Sequence, residues 1–183
     1  ASKNSKLNIE PNDDVNMSQS SNDVIPTAIK ISAHIDLTKK LYPALDKLIN
    51  EIQTKAKSLK GITKTGRTHL MDAMPIDFSD ELLAWSSQLS ACRNMLEVIE
   101  ERFLELPQGG TAVGSGINAH KQFAKFFAQE MSKILETKRK YIPSNNFFHE
   151  LSAQDCSVQL SGELKNLAVI LMKISNDLRW MNS

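Results

Sequence analysis

The sequence predicts an all-α protein, an elongated bundle of long helices. In two stretches the apolar side chains recur at steps that alternate between four and three without a miss: Trp85, Leu89, Cys92, Leu96, Ile99, Phe103 and Leu106, and then Leu160, Leu164, Leu167, Leu171, Ile174, Leu178 and Met181. A strict seven-residue repeat is typical of helices that pack with a shallow left-handed crossing. With 183 residues, of which 41% are hydrophobic, the chain can bury a substantial core.

The chain begins with a polar stretch. Residues 1–19 show almost no apolar periodicity and predict an irregular lead-in, so we place a central helical bundle domain at residues 20–183. At this boundary the segment SQSSNDVIPT crowds short hydrogen-bonding side chains before an apolar-periodic run. Ser, Asn and Asp are preferred at helix N-termini, and Pro suits the first turn. The segment therefore predicts a helix start, where free N–H groups can also bind an anion.

The first helix is predicted over residues 27–59, with a break or kink at Pro43. Its apolar residues recur every three or four positions and form one face: Leu41, Leu45, Leu48, Ile52, Ala56 and Leu59. Residues 60–77 leave this pattern and predict a loop, because they contain Gly61, Gly66, Pro75 and several threonines.

Three further helices follow. The two heptad stretches predict helices at residues 78–106 and 153–180, and a third apolar face predicts one at residues 121–137 through Phe123, Phe127, Met131 and Ile134. Residues 111–118, TAVGSGIN, predict a loop of small residues. At 1.5 Å per residue the long helices reach about 40–50 Å, more than a compact domain of this size needs. We therefore expect another copy of the chain to cover part of each helix.

Composition excludes several classes of partner and site. The net charge of +1 gives no reason to expect nucleic acid or an anionic membrane as partner. Cys92 and Cys156 lack the spacing of a zinc site or a disulfide framework, and the acidic residues show no metal-ligand pattern. With neither a signal-peptide pattern nor a membrane-spanning run, the expected compartment is the cytoplasm, and the mitochondrial matrix is the alternative.

Three polar segments could carry chemistry, and each lies at or beside a predicted helix end: residues 18–23, 65–73 and 109–118. His69 stands out in the second because imidazole titrates near neutrality and its neighbours are hydroxyl and guanidinium donors. A single His in a loop is more often structural, so this alternative stays open. The glycines of residues 109–116 lack a preceding strand, a Walker lysine and GxGxxG spacing, which argues against a nucleotide site.

Four segments together resemble class II fumarate hydratase of the fumarase/aspartase superfamily. They are PNDDVNMSQSSNDVIPTA, KTGRTHLMDAMP, GGTAVGSGINA and the closing LMKISNDLRWMNS, and they follow the family's order from Glu10 to the end. The resemblance implies an all-α central domain that forms a homotetramer through its long helices. It also implies reversible hydration of fumarate to L-malate without metal or organic cofactor, in sites built from several subunits.

The resemblance also implies roles for single residues. Ser20, Ser21 and Asn22 resemble the loop that binds a substrate carboxylate, and we call these three residues the carboxylate grip. Thr68 resembles a further substrate-binding residue. His69 resembles the family histidine that orients the active-site water or the substrate's C4 carboxylate and takes part in proton transfer.

Two departures and two alternatives accompany the resemblance. Asn12 and Asp13 match a secondary dicarboxylate site of the family, but Glu10 stands where a His is common there, and Met71 stands where Gln is usual. An aspartase-like ammonia lyase is the first alternative, although such sequences tend to carry Thr at Ser21 and Gln at His69. A non-catalytic helical oligomerisation module is the second alternative.

The family's signature loop, GSSxMPxKxN, is not found in residues 1–183. In the family this loop supplies the catalytic base serine and a substrate-binding Lys and Asn. We therefore expect this chain to be a central-domain fragment that lacks catalytic activity alone, while the parent protein is the enzyme.

Overall fold

A computed structural model describes residues 9–183, and the predicted helical fold class is confirmed. The chain divides into two compact units, each made of two segments. The first unit comprises the chain up to His34 together with Glu100–Ser157. The second comprises Ile35–Ile99 together with Val158–Ser183. The single domain at residues 20–183 stays a prediction.

The polar lead-in contains one regular element. Pro11–Val15 form a turn of π-helix, with every residue exposed, so this stretch is not irregular throughout. Pro at its first position loses no intrahelical hydrogen bond, which allows the turn to form in a polar sequence. Residues 1–8 of the predicted lead-in lie outside the described residues.

The first unit contains helix α1, Ser21–Asp36, as far as His34. It also contains α4, Phe123–Ile134, and α5, Phe147–Ser152. Two short strands, β3 Glu105–Leu106 and β4 Ile142–Pro143, pair in parallel. A core cluster forms around Leu106, Ala128 and Tyr141, with Phe127 and Met131 packed against it. The predicted helix at residues 121–137 is therefore present but shorter, and α5 was not predicted.

The first unit also buries polar side chains. Lys30 is 4% exposed, and its Nζ donates to the carbonyl oxygens of Arg102 and Glu105 at 3.0 and 2.9 Å. The same ammonium pairs with the Glu150 carboxylate. Lys30 thus satisfies carbonyl groups near the end of helix α3, Phe78–Phe103, and neutralises a partly buried acid.

Buried His34 belongs to a second polar group of this unit. Its Nδ1 lies 2.7 Å from the Tyr141 hydroxyl and its Nε2 lies 3.4 Å from Glu100 Oε1. Burial lowers the pKa of His34 below its usual value, although Glu100 acts in the opposite direction. Burial also raises the pKa of Tyr141 to about 12. The group therefore favours an uncharged imidazole in the folded protein.

The second unit is built on three long helices. Helix α2, Tyr42–Ser58, runs antiparallel to α3, Phe78–Phe103. Asp46 pairs with Arg93, and Gln53 contacts Ser86.

Helix α6, Asp155–Met181, also runs antiparallel to α3. Trp85 Nε1 donates to Asp177 Oδ2 at 3.1 Å near one end, and Glu163 lies beside Cys92 further along.

The α-helix predicted at residues 27–59 is interrupted by the π-helical stretch Leu37–Leu41, and α2 begins directly before Pro43. The backbone stays helical from Asp36 through Tyr42, so no break occurs at Pro43, and a kink there stays a prediction. Of the predicted apolar face, Leu45 and Ala56 are buried, and the other four residues are partly buried: Leu41, Leu48, Ile52 and Leu59. Ile49, which was not predicted, is buried as well.

The two heptad stretches behave differently. On α3 every position of the repeat is buried except Ile99, which is partly buried, and Leu89, Leu96 and Phe103 are at 0% exposure. On α6 only every second position is buried: Leu160, Leu167 and Ile174 are inside, whereas Leu164, Leu171 and Leu178 are 39%, 37% and 51% exposed. The chain by itself therefore covers one half of the α6 repeat.

The prediction of a loop at residues 60–77 is wrong. This region is an antiparallel hairpin of β1, Thr63–Thr68, and β2, Met71–Asp77, with a register irregularity between Thr65 and Arg67. Its base is closed by the amide of Phe78, which donates to the Ile62 carbonyl at 2.8 Å. Nearly all of its residues are exposed, so the strands show no alternation of apolar and polar residues that a sequence reading could detect.

Candidate functional site

The start of α1 is capped by its own side chains. The Ser20 amide donates to Asp23 Oδ1 at 3.0 Å, and the Asn22 amide donates to Ser20 Oγ at 3.2 Å. The arrangement resembles a capping box, because both side chains accept from backbone N–H groups at the helix start, but the Ser20 hydroxyl accepts from Asn22 and not from Asp23. The predicted helix start is confirmed. Ser20 is partly buried, and Ser21 and Asn22 are exposed at the positive end of the helix.

The loop of small residues, residues 109–118, lies against this helix start. Asn22 Nδ2 donates to the Ala112 carbonyl at 2.8 Å, and Ser18 Oγ donates to the Asn118 carbonyl at 3.1 Å. On its other side the loop packs against α4: a Cβ on Gly109 would lie 2.6 Å from Ala124 Cβ, so glycine is required for that close approach. The structure thus brings together two of the three polar segments that the sequence singled out.

Thr68 and His69 lie at the tip of the hairpin, both exposed. His69 and Leu70 form its two-residue turn with φ of 52° and 61°. A turn with both residues in the left-handed region favours Asn-Gly, and a bulky residue such as Leu is strained there. The imidazole is therefore held on a short, exposed and strained turn, a setting that is common at functional sites.

Thr68 and His69 belong to the second unit, whereas the carboxylate grip belongs to the first. The structure therefore describes each of these two sets of residues within its own unit. Their joint action on one substrate molecule stays a prediction.

Asn12 and Asp13 lie exposed on the π-helical turn. The neighbouring Asp14 carboxylate accepts a hydrogen bond from the Glu10 amide at 2.8 Å. Glu10, Asp13 and Asp14 place acidic side chains around this turn, and like charges disfavour a dianion. The local chemistry therefore argues against a secondary dicarboxylate site.

An open cleft of about 760 Å³ lies beside the hairpin in the second unit. Its lining includes Lys64 and Arg67 together with Asp80, Glu81 and Asp177. Lys64 is already paired with Glu81, and Arg67 pairs with Asp72 at 3.3 Å. Because acidic groups outnumber basic ones and the cations are engaged, the cleft is a poor receptor for a dicarboxylate.

Neither cysteine has the character of a nucleophile. Cys92 and Cys156 are free and buried, and burial together with Glu163 raises the pKa of Cys92 to about 12.

Within residues 9–183, no three His, Cys, Asp or Glu side chains come together in a group that could hold a metal ion. None of the helices in that range has the length and apolar character that crossing a bilayer requires.

Asp23 contacts the loop of small residues, and sequence reasoning missed this contact. Its carboxylate accepts hydrogen bonds from the amides of Gly109 and Thr111 at 3.1 and 2.9 Å. Its position three residues after the Ser20 cap was a signal for the helix start. The contact with a loop 86 residues away in sequence gave no such signal.

Comparison with known proteins gives the family. A family model described as Lyase matches residues 2–183. The chain belongs to this lyase family. The resemblance to its class II fumarate hydratases, expected from the four segments, is confirmed by the relatives that follow.

Fumarate hydratase class II 2 of Pseudomonas aeruginosa is 49% identical over 175 residues, which are 96% of this lyase chain and 38% of that protein. Fumarate hydratase class II of Bacillus subtilis is 44% identical over 181 residues, covering 99% of the chain and 39% of that protein. In three dimensions, the crystal structure of class II fumarase from Schistosoma mansoni matches 94% of the chain with a TM-score of 0.87 at 34% identity. The lyase chain therefore spans 38–39% of the length of these two curated relatives.

Proposed function

We propose that this chain is the central part of a class II fumarate hydratase, an enzyme that interconverts fumarate and L-malate. The observation that carries the proposal is the start of α1, where Ser20, Ser21 and Asn22 surround the positive end of a helix. The backbone N–H groups of Ser20 and Asn22 serve the cap, so the donors for a carboxylate are the hydroxyls of Ser20 and Ser21 and the second N–H of the Asn22 side-chain amide. The two relatives described above match 96% and 99% of the chain, and both are named fumarate hydratases.

His69 and Thr68 would act at the other end of the substrate. In the dehydration of L-malate, the C3 proton passes to a base and negative charge develops on the neighbouring carboxylate before the C2 hydroxyl leaves as water. Hydration of fumarate runs the same steps in reverse, so that oxygen from water bonds to C2 and C3 gains a proton. An imidazole can orient water and transfer a proton at neutral pH, and a hydroxyl can donate to the developing charge. The exposed turn at His69 suits a side chain that enters a site contributed partly by another subunit.

Homotetramer assembly is part of the proposal. The exposed half of the α6 repeat supports it, since Leu164, Leu171 and Leu178 continue an apolar stripe that the chain leaves open to solvent. Helices with such a stripe gain stability when a second helix covers it. We further propose that the enzyme acts in the cytoplasm and needs no metal or organic cofactor.

Turnover assays on the parent protein separate the three candidate functions. With fumarate we expect hydration to L-malate, seen as loss of absorbance, and with L-aspartate we expect no release of ammonia. Ammonia release without hydration would favour the aspartase-like alternative. A folded oligomer inactive on both substrates would leave the oligomerisation module.

A further inference from the structure

Asp23 connects two parts of the first unit that are distant in sequence. Its carboxylate is 0% exposed, and each of its oxygens accepts hydrogen bonds from a different segment. Oδ1 accepts from the Ser20 amide at 3.0 Å, at the helix start. Oδ2 accepts from the amides of Gly109 and Thr111 at 3.1 and 2.9 Å, in the loop.

The loop is shaped around this carboxylate. Gly109 and Thr111 have φ of 106° and 58°, and their N–H groups converge on one oxygen as in the backbone concavities that bind anions. Thr111 is β-branched, so its left-handed conformation is strained and persists only if the surroundings enforce it. Its hydroxyl is also buried, and it has no hydrogen-bond partner among residues 9–183. The buried carboxylate provides the favourable interaction that offsets these costs.

The carboxylate grip depends on both ends of this link. Asp23 accepts a hydrogen bond from the Ser20 amide and so fixes the position of Ser20. The Ser20 Oγ in turn accepts from the Asn22 backbone amide. The loop orients the Asn22 side chain, because Nδ2 donates to the carbonyl of Ala112, the residue after Thr111. A change at Asp23 is therefore transmitted to Ser20 directly and to Asn22 through the loop.

We infer that Asp23 is a positioning residue for dicarboxylate binding: it holds the loop and the helix start together so that Ser20 and Asn22 face the substrate carboxylate. This inference rests on the proposed function. A competing role is purely electrostatic, since a negative charge near a dianion weakens its binding. The two roles predict opposite effects of neutralisation, because loss of positioning raises KM and loss of repulsion lowers it.

Asp23→Asn in the parent protein is the test. In either orientation of the amide, its NH₂ group faces an N–H donor, so one of the two connections is lost. We expect KM for L-malate to rise roughly 10- to 100-fold, as for the loss of a hydrogen bond to a charged group, with a smaller change in kcat. The matched control is Asp36→Asn, which removes an exposed carboxylate at the other end of α1 and should leave KM unchanged. An unchanged or lower KM in Asp23→Asn, or an equal rise in Asp36→Asn, would overturn the inference.

Amide hydrogen exchange gives a readout that needs no activity. In Asp23→Asn the amides of Gly109 and Thr111 should lose protection, whereas unchanged protection would contradict the link. If Asp23→Asn does not assemble, Gly109→Ala disturbs the same link from the loop side, where a Cβ meets Ala124. A folded Gly109→Ala protein with normal KM would then overturn the inference. A wild-type protein without hydratase activity would instead refute the proposed function, so the two failures are distinguishable.

Discussion

Replacing Lys30 with Met should lower the free energy of unfolding by about 3–5 kcal/mol. The substitution keeps much of the apolar volume and removes only the ammonium. Glu150, whose side chain is 11% exposed, is then left with an uncompensated charge. The carbonyls of Arg102 and Glu105 also lose their donor. Urea unfolding of the chain, followed by circular dichroism, measures the change.

Lys40→Met is the control for this prediction. Lys40 also pairs with an acid on a helical segment, but the side chains of Lys40 and Asp36 are 75% and 63% exposed. Its loss should cost no more than about 1 kcal/mol. In the double variant Lys30→Met, Glu150→Leu, removing both charges should restore much of the lost stability. Equal effects of Lys30→Met and Lys40→Met would show that the buried pair has no special role.

Replacing His69 with Asn should lower kcat of the parent enzyme by about 10²- to 10⁴-fold, the range for loss of a positioned acid–base group. Asn can still donate a hydrogen bond and is tolerated at positive φ, so the turn should keep its shape. The tetramer should persist because His69 is exposed at the hairpin tip. Steady-state kinetics and sedimentation of the same preparation measure both quantities.

His120→Asn is the matched control, because His120 is also exposed but lies outside the proposed site. Its turnover should equal that of the wild type. If the His69→Asn protein fails to assemble but keeps its turnover, the prediction is contradicted. The imidazole then has a structural role, which is the alternative that the sequence left open for a single histidine in a loop.

The helices were predictable where their own repeat decides their packing. The repeat positions of α3 from Trp85 to Phe103 are buried as the seven-residue spacing indicated, except Ile99, which is partly buried. The same spacing on α6 could not reveal that Leu164 and Leu178 stay exposed in one chain, because a repeat does not say which chain covers it. The hairpin was missed since both faces of its strands are exposed, which removes the apolar alternation that marks a strand.

The candidate site was predictable as far as its local chemistry. The cap at Ser20 follows from residue preferences at helix starts, and the structure shows it. The burial of Lys30 and Asp23 was not predictable, because each is decided by partners about 70 to 90 residues away in sequence. Short-range patterns carry no information on such contacts, and buried charges are rare enough that exposure is the usual expectation.

A crystal structure of the parent protein with L-malate tests the central claim most directly. We predict that one malate carboxylate accepts hydrogen bonds from Ser20, Ser21 and Asn22 at the start of α1. We also predict that His69, contributed by the same or another subunit, lies within hydrogen-bond reach of the same molecule. Malate bound at full occupancy away from these residues, with the carboxylate grip left in solvent, would contradict the claim.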